Sequence, residues 1–391
     1  MFEHHQINFD SLYKKAYNLR WANVPEGVIP LTAADPDFPC APEIAEDLQK
    51  YVAERYFSYA PAEGFLFFRE AAAQFYESKR KYKVSPELIL PIDSAAFGIH
   101  LVCKTFLNRG DEAIILDPVD FLFKFSIENQ GAVAVPFQLS TDPTATPDFD
   151  KLESLITPKT KMICLCSPVN PIGKVFTKDE LLAIGKIAVK HQLIIMSDEI
   201  WSDVIFDPSS FISIATLDKA IENNTIIING FSKSYALAGL RIGMLATTNS
   251  HFFKQLFEAS LHGSTIHGAN VLGQVAAATA LTKCEYWLND FIQHLHTMRK
   301  MGMEKINEIG NISCYAPQGC YLFFCNIIQT GYSSQELSDL LLHKGKVFVV
   351  PGLPKWFGDG AEGHIRICFS TSAEILSEGL ERIKNTIQLI G

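Results

Sequence analysis

Three short apolar runs each lead into a residue that can do chemistry. The run 193–197 is followed by Asp198 and Glu199, and the run 225–228 leads through Asn229, Gly230, Phe231 and Ser232 to Lys233. The run 161–166 leads through Ser167, Pro168 and Val169 to Asn170. Ligands of open α/β sheets bind outside the carboxyl ends of the strands, so neighbouring strand ends here would offer an acid, an amine and an amide. That combination suits a cofactor with a basic ring nitrogen, an aldehyde and a hydroxyl. A lysine in an apolar, electropositive site favours its neutral amine, which attacks carbonyls. Arg241 lies close by in sequence, and a guanidinium can hold a phosphate in a fork. On their own, a solvated loop lysine and a surface arginine would explain the same two residues.

The elements that must position these groups are legible as alternating patterns. The runs 112–116, 132–137, 161–166, 193–197 and 225–228 read as short buried strands. Helical periodicity covers 41–56, 64–82, 94–107 and 178–191. Such alternation predicts an α/β fold with a mostly parallel central sheet covered on both faces. After a long helical pattern at 286–309, the segments 321–326, 334–343, 347–350, 365–369 and 373–390 read as strand, helix, strand, strand and helix. We expect a large domain at 41–285 and a smaller α+β domain from 1–40 and 286–391; 391 residues suit that division.

Composition narrows the partners. Net charge is −9, from 34 basic and 43 acidic residues, so no basic footprint for nucleic acid or an acidic membrane is present. No apolar run is long enough to span a bilayer, and the polar start MFEHHQINFD does not read as a signal peptide. The nine cysteines are odd in number, several lie in apolar runs, and Cys164 and Cys166 lack a C-x-x-C spacing. They predict reduced, buried thiols, a cytoplasmic location and no metal site.

The string 232–243, SKSYALAGLRIG, resembles the lysine motif of the class I/II aminotransferases, enzymes of fold type I that use pyridoxal 5'-phosphate (PLP). Similar motifs spread over 31–372. The resemblance implies that Lys233 is the Schiff-base lysine and that Ser232 and Arg241 bind the cofactor phosphate. SPVNPIGKVF, 167–176, looks like the family's Asn-Pro-x-Gly turn, which places Asn170 on the pyridine hydroxyl and beside the substrate. Asp198 in SDEIWSD matches the carboxylate that pairs with the pyridinium nitrogen, and Arg366 in HIRICFSTS matches the clamp on the substrate α-carboxylate. Ser94 and Ala95 fall where family members start a phosphate-binding helix; read alone, Ser94 is an N-cap. Tyr59 matches a tyrosine that reaches the partner subunit's cofactor, although a packing aromatic would read the same way. Ala34, in the string AADP, 33–36, falls where family members have a substrate-side loop.

Two positions depart from the family pattern. Trp201 stands where many relatives have a tyrosine that donates to the pyridine hydroxyl; an indole N–H can donate but cannot accept or ionise. Asp120 stands where relatives stack an aromatic on the cofactor ring, a role that Phe121 or Phe123 could take instead.

The resemblance implies a homodimer that moves an amino group from an α-amino acid to a 2-oxo acid, with Lys233 as the general base. The alternative within the same fold is a cystathionine-β-lyase-like C–S lyase that releases pyruvate, ammonia and a thiol. NFDSLYKKAYNLRW, DEIWSDVIF and FGDGAEGHIR lean toward it, whereas Arg241, LTAADPDF and IRICFSTS lean away. A third possibility is a non-catalytic sensor module of a transcription regulator. Those carry a fused helix-turn-helix domain, and the acidic charge disfavours DNA binding. No second arginine could be assigned to a dicarboxylate side chain.

Overall fold

The computed structural model describes residues 2–15, 18–206 and 208–390; Ala16 and Tyr17, within the string 8–21, lie outside the described residues. A two-residue strand β1 (Ile29–Pro30) precedes the main sheet. That sheet comprises β2 (Ile89–Ile92), β3 (Glu112–Asp117), β4 (Val133–Gln138), β5 (Thr160–Cys166), β6 (Ile194–Asp198), β7 (Thr225–Gly230) and β8 (Gly243–Ala246). Its order is β2-β8-β7-β6-β5-β3-β4. Strands β4, β3, β5, β6 and β7 are parallel, and β8 is antiparallel to both its neighbours. The five expected strands are these five parallel ones, with ends shifted by a residue or two. Strands β2 and β8 escape the pattern reading. Pro91 argues against a strand in Ile89–Ile92, yet β2 is an edge strand, where proline is tolerated.

Side chains alternate across a strand, and both faces of this sheet are covered accordingly. Ile226 and Ile228 of β7 enter one core, which includes Ile99 of helix Ala95–Phe106 and Leu181 of helix Lys178–Lys190. Ile227 enters the other core with Ile44, Ala276 and Phe291, from helices Pro42–Ala53, Val271–Lys283 and Glu285–Ile306. This second core continues without a break into a four-stranded sheet built from β9 (Ser313–Cys314), β10 (Leu322–Asn326), β12 (Val350–Pro351) and β13 (His364–Cys368), ordered β12-β13-β10-β9. Between β10 and β12, β11 (Val347–Phe348) pairs in parallel with β1.

Two expectations change. The run 347–350 is not one strand: β11 and β12 belong to different sheets, a switch that a single apolar stretch cannot display. The helical pattern 64–82 holds as an α-helix only over Leu66–Phe75. It continues as a wider turn, Tyr76–Arg80, that stops at Lys81 with φ of 58°.

A buried ion pair fastens the N-terminal segment. Arg20 pairs with Asp37, both side chains fully buried, and Trp21 Nε1 donates to Asp37 Oδ1 at 2.7 Å. Arg20 also donates to Cys368 Sγ at 3.2 Å and to the Ser370 carbonyl at 3.4 Å, so residues 18–37 are tied to the end of β13. Removing one partner of a buried pair strands the other charge in low dielectric. We expect Asp37→Ala to lower stability by about 3–5 kcal/mol, read from the urea unfolding midpoint.

Candidate active site

Asp198 is the Cα partner of Cys166 in β5 and of Ile228 in β7. Strands β5 and β6 therefore end level, β7 runs two residues further to pair with β8, and the segments carrying Asn170, Asp198 and Lys233 open into one place. A cavity of about 340 Å³ lies there. It is lined by Ala33, Ala34, Ser94, Ala95, Asn170, Asp198, Trp201, Ser232, Lys233, Arg241 and Arg366, together with Asp120, Leu122 and Phe123.

Lys233 follows β7 in a tight turn in which Tyr235 N and Leu237 N both donate to the Phe231 carbonyl. Ser234 Oγ donates to Asp203 Oδ2 at 2.7 Å, and Asp203 is ion-paired with Arg80, which fixes the turn from behind. Lys233 Nζ donates to the Ala34 carbonyl at 2.6 Å and lies 5.3 Å from the centre of the Trp201 ring. Burial, reinforced by the Arg366 charge, lowers its pKa; Asp35 and Asp120 oppose the shift. The amine is thus held nearer its neutral, nucleophilic form.

The Asn170 turn is closed by Val169 N donating to Lys174 O and Gly173 N to Val169 O. Gly173 has φ of +70°, and a Cβ there would meet Pro317 Cβ at 2.5 Å, so only glycine fits. Buried Lys174 anchors the turn to Glu180 at 2.9 Å, and Glu180 closes the capping box of helix Lys178–Lys190 with Thr177. Asn170 Nδ2 donates to Asp120 Oδ2 at 2.9 Å, and Asn170 Oδ1 accepts from Arg366 Nη1 at 3.1 Å. Arg366 Nη2 donates to Thr32 O at 3.2 Å, while its buried Nε has no partner.

Asp198 Oδ1 accepts from Ile200 N at 3.1 Å. Burial, helped by the Asp120 charge, pushes its pKa up to about 7. The next residue, Glu199, is also fully buried and pushed up to about 7 by burial, although Ser213 and Ser197 donate to its Oε1. At another wall, helix Ala95–Phe106 begins, with Ser94 Oγ accepting from Phe97 N at 3.1 Å as its N-cap. Gly243, the last residue of the 232–243 string, makes this approach possible: a Cβ would meet Ala95 N at 2.9 Å. Exposed Arg241 stands at the cavity edge.

Not every expected residue joins the cavity. Tyr59 is 84% exposed, has its ring 4.8 Å from that of His267, and is not among the residues that line the cavity of its own chain. Phe121 stacks edge-on to Trp356 instead, leaving Phe123 as the phenylalanine in the wall. Residues that motif reading missed include Tyr321, whose hydroxyl donates at 3.3 Å to the same Ala34 carbonyl as Lys233 and whose ring packs against Trp201. Nothing in its local sequence signals that role. Phe357, 5.0 Å below the Arg366 guanidinium, was equally silent.

The family model for aminotransferase class I and II matches residues 26–383. The chain belongs to the class I and II aminotransferases. An aromatic-amino-acid aminotransferase of Thermococcus litoralis is 31% identical over 93% of this chain and 92% of its own length. An aspartate aminotransferase of Pyrococcus abyssi is 31% identical over 92% of each. A PLP-bound structure from Clostridium difficile superposes with a TM-score of 0.89 at 27% identity, covering 99% of this chain and 98% of that one. This aminotransferase is accordingly a PLP-dependent enzyme acting on amino acids and 2-oxo acids, with the expected mostly parallel α/β fold. Among the described residues no helix is long and apolar enough to cross a membrane.

The aminotransferase's two adjacent raised carboxyls make a pH prediction. With Asp198 raised from 3.8 and Glu199 from 4.5 to about 7, the native cofactor-free chain holds protons that the unfolded chain releases. Their contribution to stability is therefore greatest below about pH 4 and declines as pH rises to about 7. We expect the melting temperature of cofactor-free Asp198→Asn to fall less between about pH 5 and 7 than that of the parent, measured by calorimetry.

Proposed function

We propose that Lys233 holds PLP and moves the proton in an amino-group transfer between an α-amino acid and a 2-oxo acid. The observation that carries this is the buried Lys233 amine, held toward neutrality in a cavity it shares with Asp198 and Arg366. The site residues fit the cofactor. A carbonyl suits the neutral amine; a dianion suits the helix start at Ser94–Ala95 with Ser232 and Arg241; a protonated ring nitrogen suits Asp198. PLP, when bound, supplies an electron sink for the ionising α-carbon of the amino acid. Asp198 ionises most readily opposite a cation and so keeps a proton on the ring nitrogen. Asn170 would have an amide hydrogen left for the ring hydroxyl, and the Trp201 ring walls Lys233. Arg366 grips the substrate α-carboxylate, which also gives its unpartnered Nε an acceptor. Lys233 takes the α-proton and later returns it.

The same proposal extends to assembly. Tyr56, Phe57, Tyr59, Leu66 and Phe67 are large apolar side chains left exposed close together in sequence, which suits contact with a second copy of the chain, and Tyr59 would then serve the partner's cavity. We read 41–285 as the PLP-binding domain and 1–40 with 286–391 as the smaller one; the β1–β11 pairing supports joining the two ends. Nine free thiols suit a cytoplasmic location.

Incubating holoenzyme with single amino acids, including cystathionine, and no oxo acid tests the chemistry. Stoichiometric pyridoxamine phosphate and the matching 2-oxo acid are expected; catalytic pyruvate, ammonia and thiol would instead establish the C–S lyase reading. Lys233→Ala should lower turnover by at least about 10²–10⁴-fold, in steady-state assays of protein freed of wild-type contamination. Arg366→Ala should lower kcat/KM by roughly 30-fold or more, the equivalent of about 2–5 kcal/mol.

A further inference from the structure

Asp120 is bound into the cavity wall in a way that constrains what enters it. Its Oδ1 accepts from Leu122 N at 3.2 Å and its Oδ2 from Asn170 Nδ2 at 2.9 Å. Asn170 Oδ1 in turn accepts from Arg366 Nη1 at 3.1 Å. A carboxylate only accepts and a guanidinium only donates, so the Asn170 amide between them has one workable orientation. Asp120 is thereby fixed one side chain away from Arg366, at the place where the α-carboxylate of an amino acid would dock.

The charges lining the cavity are few. Among the described residues the cations are Lys233, Arg241 and Arg366, and the anions are Asp120 and Asp198. On the function proposed above, on which this inference rests, every cation is engaged: Lys233 by the cofactor, Arg241 by its phosphate, Arg366 by the α-carboxylate. A second carboxylate on the substrate would find no free cation among this chain's own lining residues and would face the Asp120 charge, and like charges brought together out of bulk water repel. The neighbouring wall, Leu122 and Phe123, is apolar.

We propose that Asp120 sets the substrate class: it repels a second acid and so disfavours dicarboxylic amino acids as the amino donors. Relatives are named for an acidic and for an aromatic amino acid, and Asp120 decides between those chemistries here.

Isosteric pairs test this with little change of shape. Calorimetric titration of wild-type holoenzyme with the unreactive acids succinamate and succinate should show succinamate binding at least about tenfold more tightly. Single-turnover kcat/KM should favour asparagine over aspartate and glutamine over glutamate by at least about tenfold, and Asp120→Asn should shrink each ratio severalfold. Tighter binding of succinate, faster turnover of aspartate or glutamate, or ratios unchanged in a folded Asp120→Asn protein would overturn the proposal. The wild-type titration decides it even where the variant does not fold. Tighter binding of succinamate with no turnover of any amino acid would uphold the role of Asp120 while refuting the proposed amino transfer.

Discussion

Backbone pairing between β5, β6 and β7 sets the geometry of everything at the site. In parallel strands the hydrogen bonds fix relative register, and here Asp198 sits level with Cys166 on one side and Ile228 on the other. The turns that follow therefore leave the same end of the sheet, that of β7 two residues beyond the other two. Asn170, Asp198 and Lys233 come from segments far apart in sequence, yet their separation is decided by strand spacing rather than by loop flexibility. The antiparallel strand β8 completes this arrangement. Its first residue, Gly243, lets the start of helix Ala95–Phe106 lie against the strand ends, so the helix amides face the same cavity.

That placement carries an electrostatic cost. Lys233, Asp198, Glu199, Asp120 and Arg366 are all strongly desolvated, and each pKa shift runs in the direction that burial dictates. The opposed shifts of Lys233 and Asp198 place a weakened base and a weakened acid in one cavity. On the proposed function, a cofactor with a carbonyl for the amine and a cationic ring opposite the carboxyl would relieve both strains, and its binding would then stabilise the fold. The rigid supports behind the site fit this demand. Asp203 and Arg80 hold the Lys233 turn, Lys174 and Glu180 hold the Asn170 turn, and Arg20 and Asp37 hold the segment that carries Ala34.

The motif-bearing residues were legible because each stands in a local string whose backbone demands leave a trace: Gly173 in the Asn170 turn, Gly243 closing the Lys233 string. The five parallel strands were legible because strands buried on both faces must be apolar throughout. Strand β2 was hidden by Pro91, β8 by its brevity, and the β11–β12 switch by the uniform apolarity of 347–350. Asp120 was visible only as a departure from a pattern. Its partnership with Asn170 depends on the approach of two loops 50 residues apart.

The sequence by itself carried the family resemblance, and with it the class of chemistry and the cofactor, and it singled out Lys233, Asp198, Asn170 and Arg366 as candidates, because each stands in a local string that matches a family motif. Tertiary structure alone decided that Phe123 rather than Phe121 walls the cavity and that Tyr321 shares the Ala34 carbonyl with Lys233. It also decided that Asp120 is held against Asn170 and that Tyr59 stays outside the cavity of its own chain. These are relations between surfaces brought together by packing, and packing is specified by the whole core rather than by any local string.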